Sequence, residues 1–326
     1  MSPSLSRRNL YAKMNRVNNI EQQKEETPID LSVVEGFDTI DKRGSFSFIR
    51  TYDEKFAELN NSLKQFFRTE DIVIGNGIDE LIDLLFLFFK NDLRLKRVLT
   101  LEPGYGRYKQ SILRHGLVAV EFPRVRVFLY NNSLRQQSIE SLISFVEKNK
   151  IDAVIFSNPG NPYPGYYSNK EIEKLLKKID NTVPVILDEA FVEYAVKSNS
   201  QTALSLIKIH NNLFVLRTFS KIYGMFGLRV GVLIANKKYI NPILCYKRRY
   251  TVPQPSISEL ISILKTGNLK KYWVDKYNDN KKRLRLFTKK VDGKYTVLRW
   301  PQKWSHWLSS KKYNDFFDGG RVCLFT

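Results

Sequence analysis

Apolar and polar positions fall into alternating blocks. From about residue 46 to 235, short unbroken apolar runs are each followed by turn residues and then by helix-like segments. DIVIGNGIDELIDLLFLFF (71–89) passes from a strand-like run through a glycine turn into a helix, and KRVLTLEPGYGRY (96–108) reads as a strand and a loop. IDAVIFSNPGNPYPG (151–165) is a strand ending in a Pro/Asn/Gly turn. NKEIEKLLKKI (169–179) places Ile172, Leu175, Leu176 and Ile179 on one helical face. VPVILDEAF (183–191) and LFVLRTFSK (213–221) are further strand-loop units, and GLRVGVLIA (227–235) is another strand. Runs without clean alternation suit strands buried on both faces. Their alternation with helices predicts an α/β fold whose mainly parallel sheet carries helices on both sides.

Outside that block the pattern changes. Residues 1–30 are polar and read as an arm. After Asn236, a long helical region covers roughly 256–290, followed by the strand-like pieces KYTVLRW, WSHWLSS and RVCLFT. The expected organisation is an N-terminal arm and small-domain segment (1–45), a large domain (46–235) and a smaller α+β C-terminal domain (236–326).

Composition excludes several classes. With 43% hydrophobic residues, the 326-residue chain can fill sizeable cores. Two cysteines, Cys245 and Cys323, make no disulfide framework and fit a reducing compartment. The three histidines are scattered, so no metal site is expected. The greasiest run, residues 81–89, is too short to span a bilayer and carries Asp83. A soluble, cytoplasmic protein without a membrane partner is expected. The net charge of +20 attracts polyanions, whether nucleic acid or phosphorylated metabolites. Its densest runs, YKRRY (246–250) and KKRLRLFTKK (281–290), come with no nucleic-acid-binding motif and read as solvated faces.

In open α/β sheets, ligands bind beyond the carboxyl ends of the strands. There the apolar runs end in Asn158 and Asn161, in Asp188 and Glu189, and in Thr218, Ser220 and Lys221. An amide, a carboxylate and an amine would thus meet at one edge. A lysine amine can form a Schiff base, and a carboxylate there can hold a cation such as a protonated pyridine nitrogen. Pyridoxal 5'-phosphate needs that arrangement. Each residue also has an ordinary reading: a surface lysine at 221, a helix N-cap at Asp188, a turn-forming asparagine at 161.

Several motifs carry a family resemblance. NPGNPYPG, LDEAF and RTFSKIYGMFGLRVG resemble, in that order, the signature segments of class I/II aminotransferases. GNGIDELI (75–82) and EPGYGRY (102–108) are similar to segments of the histidinol-phosphate aminotransferase group. The resemblance covers about residues 50–235. It implies a PLP-dependent transferase of fold type I with a shortened C-terminal domain.

It also implies roles. Lys221 would hold the cofactor as an internal aldimine and then move a proton at the substrate Cα. Asp188 would pair with the pyridinium nitrogen, and Asn161 would bond the phenolic oxygen. Tyr105 would stack on the ring, with a core tyrosine as the alternative. The phosphate would meet the helix-opening backbone of Gly77, Ile78 and Asp79, the hydroxyls of Thr218 and Ser220, and the guanidinium of Arg229, otherwise a surface ion-pair residue. Gly224 and Gly227 would let the segment turn back, and apolar neighbours would keep Lys221 desolvated. Tyr52 would reach the phosphate of a neighbouring subunit in a homodimer. Arg321 would bind the anionic group of the substrate, or else be a solvated terminal arginine.

Phe191 stands where most relatives have a tyrosine that bonds the phenolic oxygen. Threonine-phosphate decarboxylases of cobalamin synthesis share DEAF with this chain. The resemblance therefore implies an aminotransferase acting on an anionic amino compound, with the decarboxylase as the alternative. A third reading, a nucleic-acid-binding protein on an inactive scaffold, calls for a winged-helix segment that residues 1–30 are too short to form.

Overall fold

Strands form where β-branched and aromatic residues run without a polar break, and helices where apolar residues recur every three or four positions. The computed structural model of the protein describes residues 52–128, 133–161, 165–291 and 294–297. In chain order the elements are α1 (Tyr52–Phe67), β1 (Ile72–Asn76), α2 (Gly77–Asn91), β2 (Arg97–Glu102), α3 (Arg107–Arg114), β3 (Val118–Pro123), β4 (Val125–Phe128) and β5 (Ser133–Gln136). They continue with α4 (Ile139–Lys148), β6 (Ala153–Ser157), α5 (Asn169–Lys178), β7 (Val185–Asp188), α6 (Val192–Ala195), β8 (Leu213–Thr218) and β9 (Val230–Ala235). Then come α7 (Lys237–Leu244), α8 (Gln254–Lys265), α9 (Leu269–Phe287), β10 (Thr288–Val291) and β11 (Lys294–Val297).

The central sheet has seven strands in the order β1-β9-β8-β7-β6-β2-β3. Strands β2, β3, β6, β7 and β8 pair in parallel, whereas β9 runs antiparallel to both β8 and β1. Each sequence-predicted strand from 71 to 235 is present. The antiparallel β9 follows from the tight return between Lys221 and Val230, which needs no crossover helix.

Side chains alternate across the sheet, and two separate cores result. Val185, Leu187, Leu213 and Val215 pack with α1, α4, α5 and α8 on one face. Ile186, Phe214 and Leu216 pack with α2, α3 and α7 on the other. The first core also takes in Val252, Ile257, Leu260, Leu269 and Trp273, so apolar residues from both sides of the expected 235/236 division share one cluster. The long helical region expected over 256–290 is instead two helices. Gly267, at φ +68°, interrupts it, and the chain leaves α9 for β10 at Thr288. The strand-like pieces WSHWLSS and RVCLFT, and with them Arg321, lie outside the described residues, as do residues 1–51. Among the described residues, no helix is long and apolar enough to cross a membrane.

Candidate active site

The alternation that builds the two cores also aims the polar strand ends. Counting outward from Ile155, Ile186 and Leu216, the residues Ser157, Asp188 and Thr218 fall on the α2/α3 face at the carboxyl ends of β6, β7 and β8. Ser157 and Asp188 are register partners. Both are buried, as is Thr218. A cleft enclosing about 510 Å³, its open mouth included, lies over them.

Asp188 Oδ2 accepts the Tyr108 hydroxyl at 2.5 Å, and Oδ1 accepts the Ala190 backbone N–H at 2.9 Å. Among the described residues no cation lies within ion-pair distance of this carboxylate. Burial raises its pKa, against the lowering influence of the Tyr108 and Ala190 hydrogen bonds and of Lys221. A buried carboxylate so placed is suited to a cation brought by a ligand.

Lys221 follows β8, and its Nζ lies 5.1 Å from the centroid of the Phe191 ring, with both residues lining the cleft. Here the structure corrects the sequence expectation. Lys221 is exposed at the cleft mouth rather than wrapped in apolar groups. Its neighbours Phe219, Ile222 and Tyr223 turn into the core and leave the amine outward.

One end of the cleft is built for an anion. Gly77 opens α2 at φ +71°, and a Cβ there would meet Arg229 Nη2 at 2.4 Å, so only glycine lets the guanidinium lie against the helix start. A Cβ on Gly231 would meet the carbonyl carbon of Gly77 at 2.5 Å, so β9 lets the same helix end settle onto the sheet. The α2 N-cap, Asn76, makes no side-chain capping hydrogen bond, and Ile78 and Asp79 of the first turn line the cleft. First-turn donors and the helix dipole thus face it. Arg229 adopts a left-handed φ of 51° and accepts the Gly77 N–H on its carbonyl at 2.7 Å. Strained backbone of this kind persists where surrounding contacts fix it. Its Nη2 sits 3.6 Å from Asp79 Oδ2. Thr218 donates to Ser220 Oγ at 3.0 Å beside it.

Tyr105 also lines the cleft. Its hydroxyl donates to Asp79 Oδ1 at 3.1 Å, and burial, with Asp79 next in weight, pushes its pKa to about 12. Asn161 lines the cleft after β6, and its N–H donates to Ser157 Oγ at 3.0 Å.

The structure therefore brings together Ile78, Asp79, Tyr105, Asn161, Asp188, Thr218, Ser220, Lys221 and Arg229, with Gly77 beneath Arg229. Tyr52 is elsewhere within this chain. Its hydroxyl donates to the Val252 carbonyl at 2.9 Å, and its ring meets Tyr250 edge-on. Sequence reasoning missed Ser157, Ala190 and Tyr108. Period-two counting along AVIFS could have found Ser157. Tyr108 closes the EPGYGRY motif, but nothing near it in the chain points to its partner Asp188, 80 residues away.

On the opposite face, Glu189 and Arg217 follow and precede the site residues Asp188 and Thr218. Arg217 reaches Glu193 at 2.6 Å and Glu189 at 3.4 Å, and all three are buried.

The family described as aminotransferase class I and II matches residues 18–310. A histidinol-phosphate aminotransferase of Macrococcus caseolyticus is 31% identical over 71% of this chain and 63% of its own length. A protein of Caldanaerobacter subterraneus, described as a putative threonine-phosphate decarboxylase, is 32% identical over 61% of this chain and 52% of its own. The chain thus spans about half to two thirds of these curated relatives. Among solved structures, a histidinol-phosphate aminotransferase from Sinorhizobium meliloti in complex with pyridoxal-5'-phosphate is similar in fold, with TM-score 0.60, 23% identity and coverage of 72% of this chain and 62% of that one.

Proposed function

The chain belongs to the class I and II aminotransferase family, and on that premise we propose that it is a pyridoxal-phosphate-dependent aminotransferase of the histidinol-phosphate type, acting on an anionic amino compound. The observation that carries the reading is the buried Asp188 carboxylate, without a cation at ion-pair distance among the described residues, within the same cleft as the Lys221 amine and the helix start beside Arg229.

The residues present fit the cofactor. Gly77 lets the Arg229 guanidinium lie beside the α2 start, and Asp188 lacks a cationic partner among the described residues. When bound, the cofactor supplies an electron sink for the bonds at the substrate Cα. Asp188 would hold the protonated ring nitrogen, Tyr105 would meet the ring face and Asn161 would bond the phenolic oxygen. The α2 N-terminus, Thr218, Ser220 and Arg229 would bind the phosphate. Lys221 would hold the cofactor through its amine and move a proton at the substrate Cα. Its exposure at the cleft mouth gives it access to substrate. Arg321 binds the substrate anion. In a homodimer, Tyr52 would serve the partner's phosphate.

A second reading, decarboxylation of threonine phosphate, is favoured by Phe191 and by the Caldanaerobacter relative. The two readings differ in which bond at the substrate Cα the site would favour breaking. Incubating the cofactor-loaded protein with histidinol phosphate and 2-oxoglutarate should yield glutamate. Carbon dioxide released from threonine phosphate, without amino transfer, would replace the first reading with the second.

A further inference from the structure

We infer that Tyr108 is a positioning residue for the cofactor site, its hydroxyl fixing the Asp188 carboxylate so that an oxygen lone pair is presented to a cationic ring nitrogen in the cleft. The inference rests on the cofactor reading above and deepens it.

Tyr108 lies in the first turn of α3 and is buried, and its ring belongs to the α2/α3 core. Its hydroxyl donates to Asp188 Oδ2 at 2.5 Å, while the Ala190 N–H takes Oδ1. A carboxylate offers about four lone-pair sites, so each oxygen keeps one after these bonds. Two donors from different directions fix the plane of the group and so the direction of the remaining pairs. Ser157 lies beside the phenol, and its Oγ accepts the Asn161 backbone N–H at 3.0 Å. The Asn161–Ser157 and Tyr108–Asp188 hydrogen bonds are thus neighbours in the cleft, below the two residues proposed to meet opposite edges of the cofactor ring. Tyr105, three residues earlier, meets Tyr108 edge-on at 5.4 Å. One short segment thus sets both the stacking face and the carboxylate.

The charged and titratable groups facing Asp188 are Tyr105 and Tyr108 from the α3 segment, Asp79 from α2, Lys221 after β8 and Glu189 beside it in sequence. Asp79 and Glu189 favour a protonated Asp188, and Lys221 favours the ionised form. Tyr108 stays a donor, because burial and Asp188 together raise its own pKa well above the ordinary value. Removing its hydroxyl leaves a buried carboxylate with one donor fewer and raises the carboxylate's pKa.

The test is titration of Tyr108→Phe with pyridoxal phosphate across the neutral pH range, alone and in an Asp188→Asn background. A hydrogen bond to a buried charged group is worth enough to weaken cofactor affinity about tenfold or more. The acid limb of the affinity profile should move to higher pH, with the circular dichroism unchanged. In the Asp188→Asn background, the same substitution should change affinity less than about twofold, since the pair acts as a unit. Parental affinity and pH limb in Tyr108→Phe, or an equal loss in both backgrounds, would overturn the inference. If Tyr108→Phe does not fold, a fluorinated tyrosine at position 108, a stronger donor of the same shape, should move the acid limb to lower pH, and an unchanged limb overturns the inference too. A parent protein that takes up no pyridoxal phosphate defeats the functional reading itself, a different result from any of these.

Discussion

Strands β7 and β8 carry two ionic clusters one residue apart and back to back. Asp188 and Thr218 face the cleft, whereas Glu189 and Arg217 face the α1/α5 core. The inner cluster is closed. Arg217 meets both Glu193 and Glu189, Glu189 also accepts the Ala203 N–H, and the guanidinium lies over the rings of Phe67 and Trp273. The cleft cluster is open, for Asp188 has hydrogen-bond donors but, among the described residues, no cation within ion-pair distance. The same alternation thus makes one side a structural ion network and the other a site that awaits a charge. A buried charge group missing a partner costs stability and is retained where a ligand completes it.

The comparison is broken most forcefully at Lys221. Lys221→Ala should lower turnover by about 10²- to 10⁴-fold, the range of a positioned proton-transfer group. Because its side chain is exposed, unfolding free energy should change by less than about 0.5 kcal/mol. Steady-state rates beside urea denaturation check both halves.

Arg217→Met should do the reverse. It leaves two buried carboxylates uncompensated, for which a loss of about 3–5 kcal/mol is expected, read as a shifted denaturation midpoint. Asp188→Asn should weaken pyridoxal phosphate binding by about 10- to 100-fold and shift stability by less than about 1 kcal/mol. If Arg217→Met and Asp188→Asn cost similar stability, the distinction between the two clusters fails.

The closed cluster should also be visible as a pH effect. Burial raises Glu189 from 4.5 to about 7 despite the pull of Arg217. Between those values the folded chain keeps a proton that the unfolded chain has released, so the stability this group contributes is full at the acid end and lost as pH rises. Burial moves Glu193 and Asp188 in the same direction. Thermal midpoints should therefore fall from about pH 5 to about pH 8, and Glu189→Gln should flatten the slope.

The smallest effect is expected at Phe191. If the cofactor binds as proposed, Phe191→Tyr would offer its phenolic oxygen a donor and should tighten cofactor binding by about two- to tenfold, the worth of one hydrogen bond, with stability unchanged.

The open side was largely legible in the sequence, because each strand there stops at a polar residue that no core needs. Asn161, Asp188, Thr218 and Lys221 announce themselves as interruptions of apolar runs. The closed side was not. Arg217 sits inside LFVLRT and looks like an ordinary strand residue until α6 brings Glu193 beneath it. The partner of Tyr108 was hidden for the same reason, as the tyrosine lies on α3 and the carboxylate it meets ends β7. The exposure of Lys221 was misjudged because Phe219, Ile222 and Tyr223 are neighbours in the chain but point away into the core. Composition close in sequence did not report surroundings in space.

The most direct test of the central claim, that the carboxyl end of β8 holds the cofactor, is borohydride reduction of the pyridoxal-phosphate-loaded protein followed by peptide mass mapping. The account predicts a visible absorption band that is lost on reduction, with the cofactor mass fixed to Lys221. A colourless protein that takes up no pyridoxal phosphate, or a label on a different lysine, would contradict it.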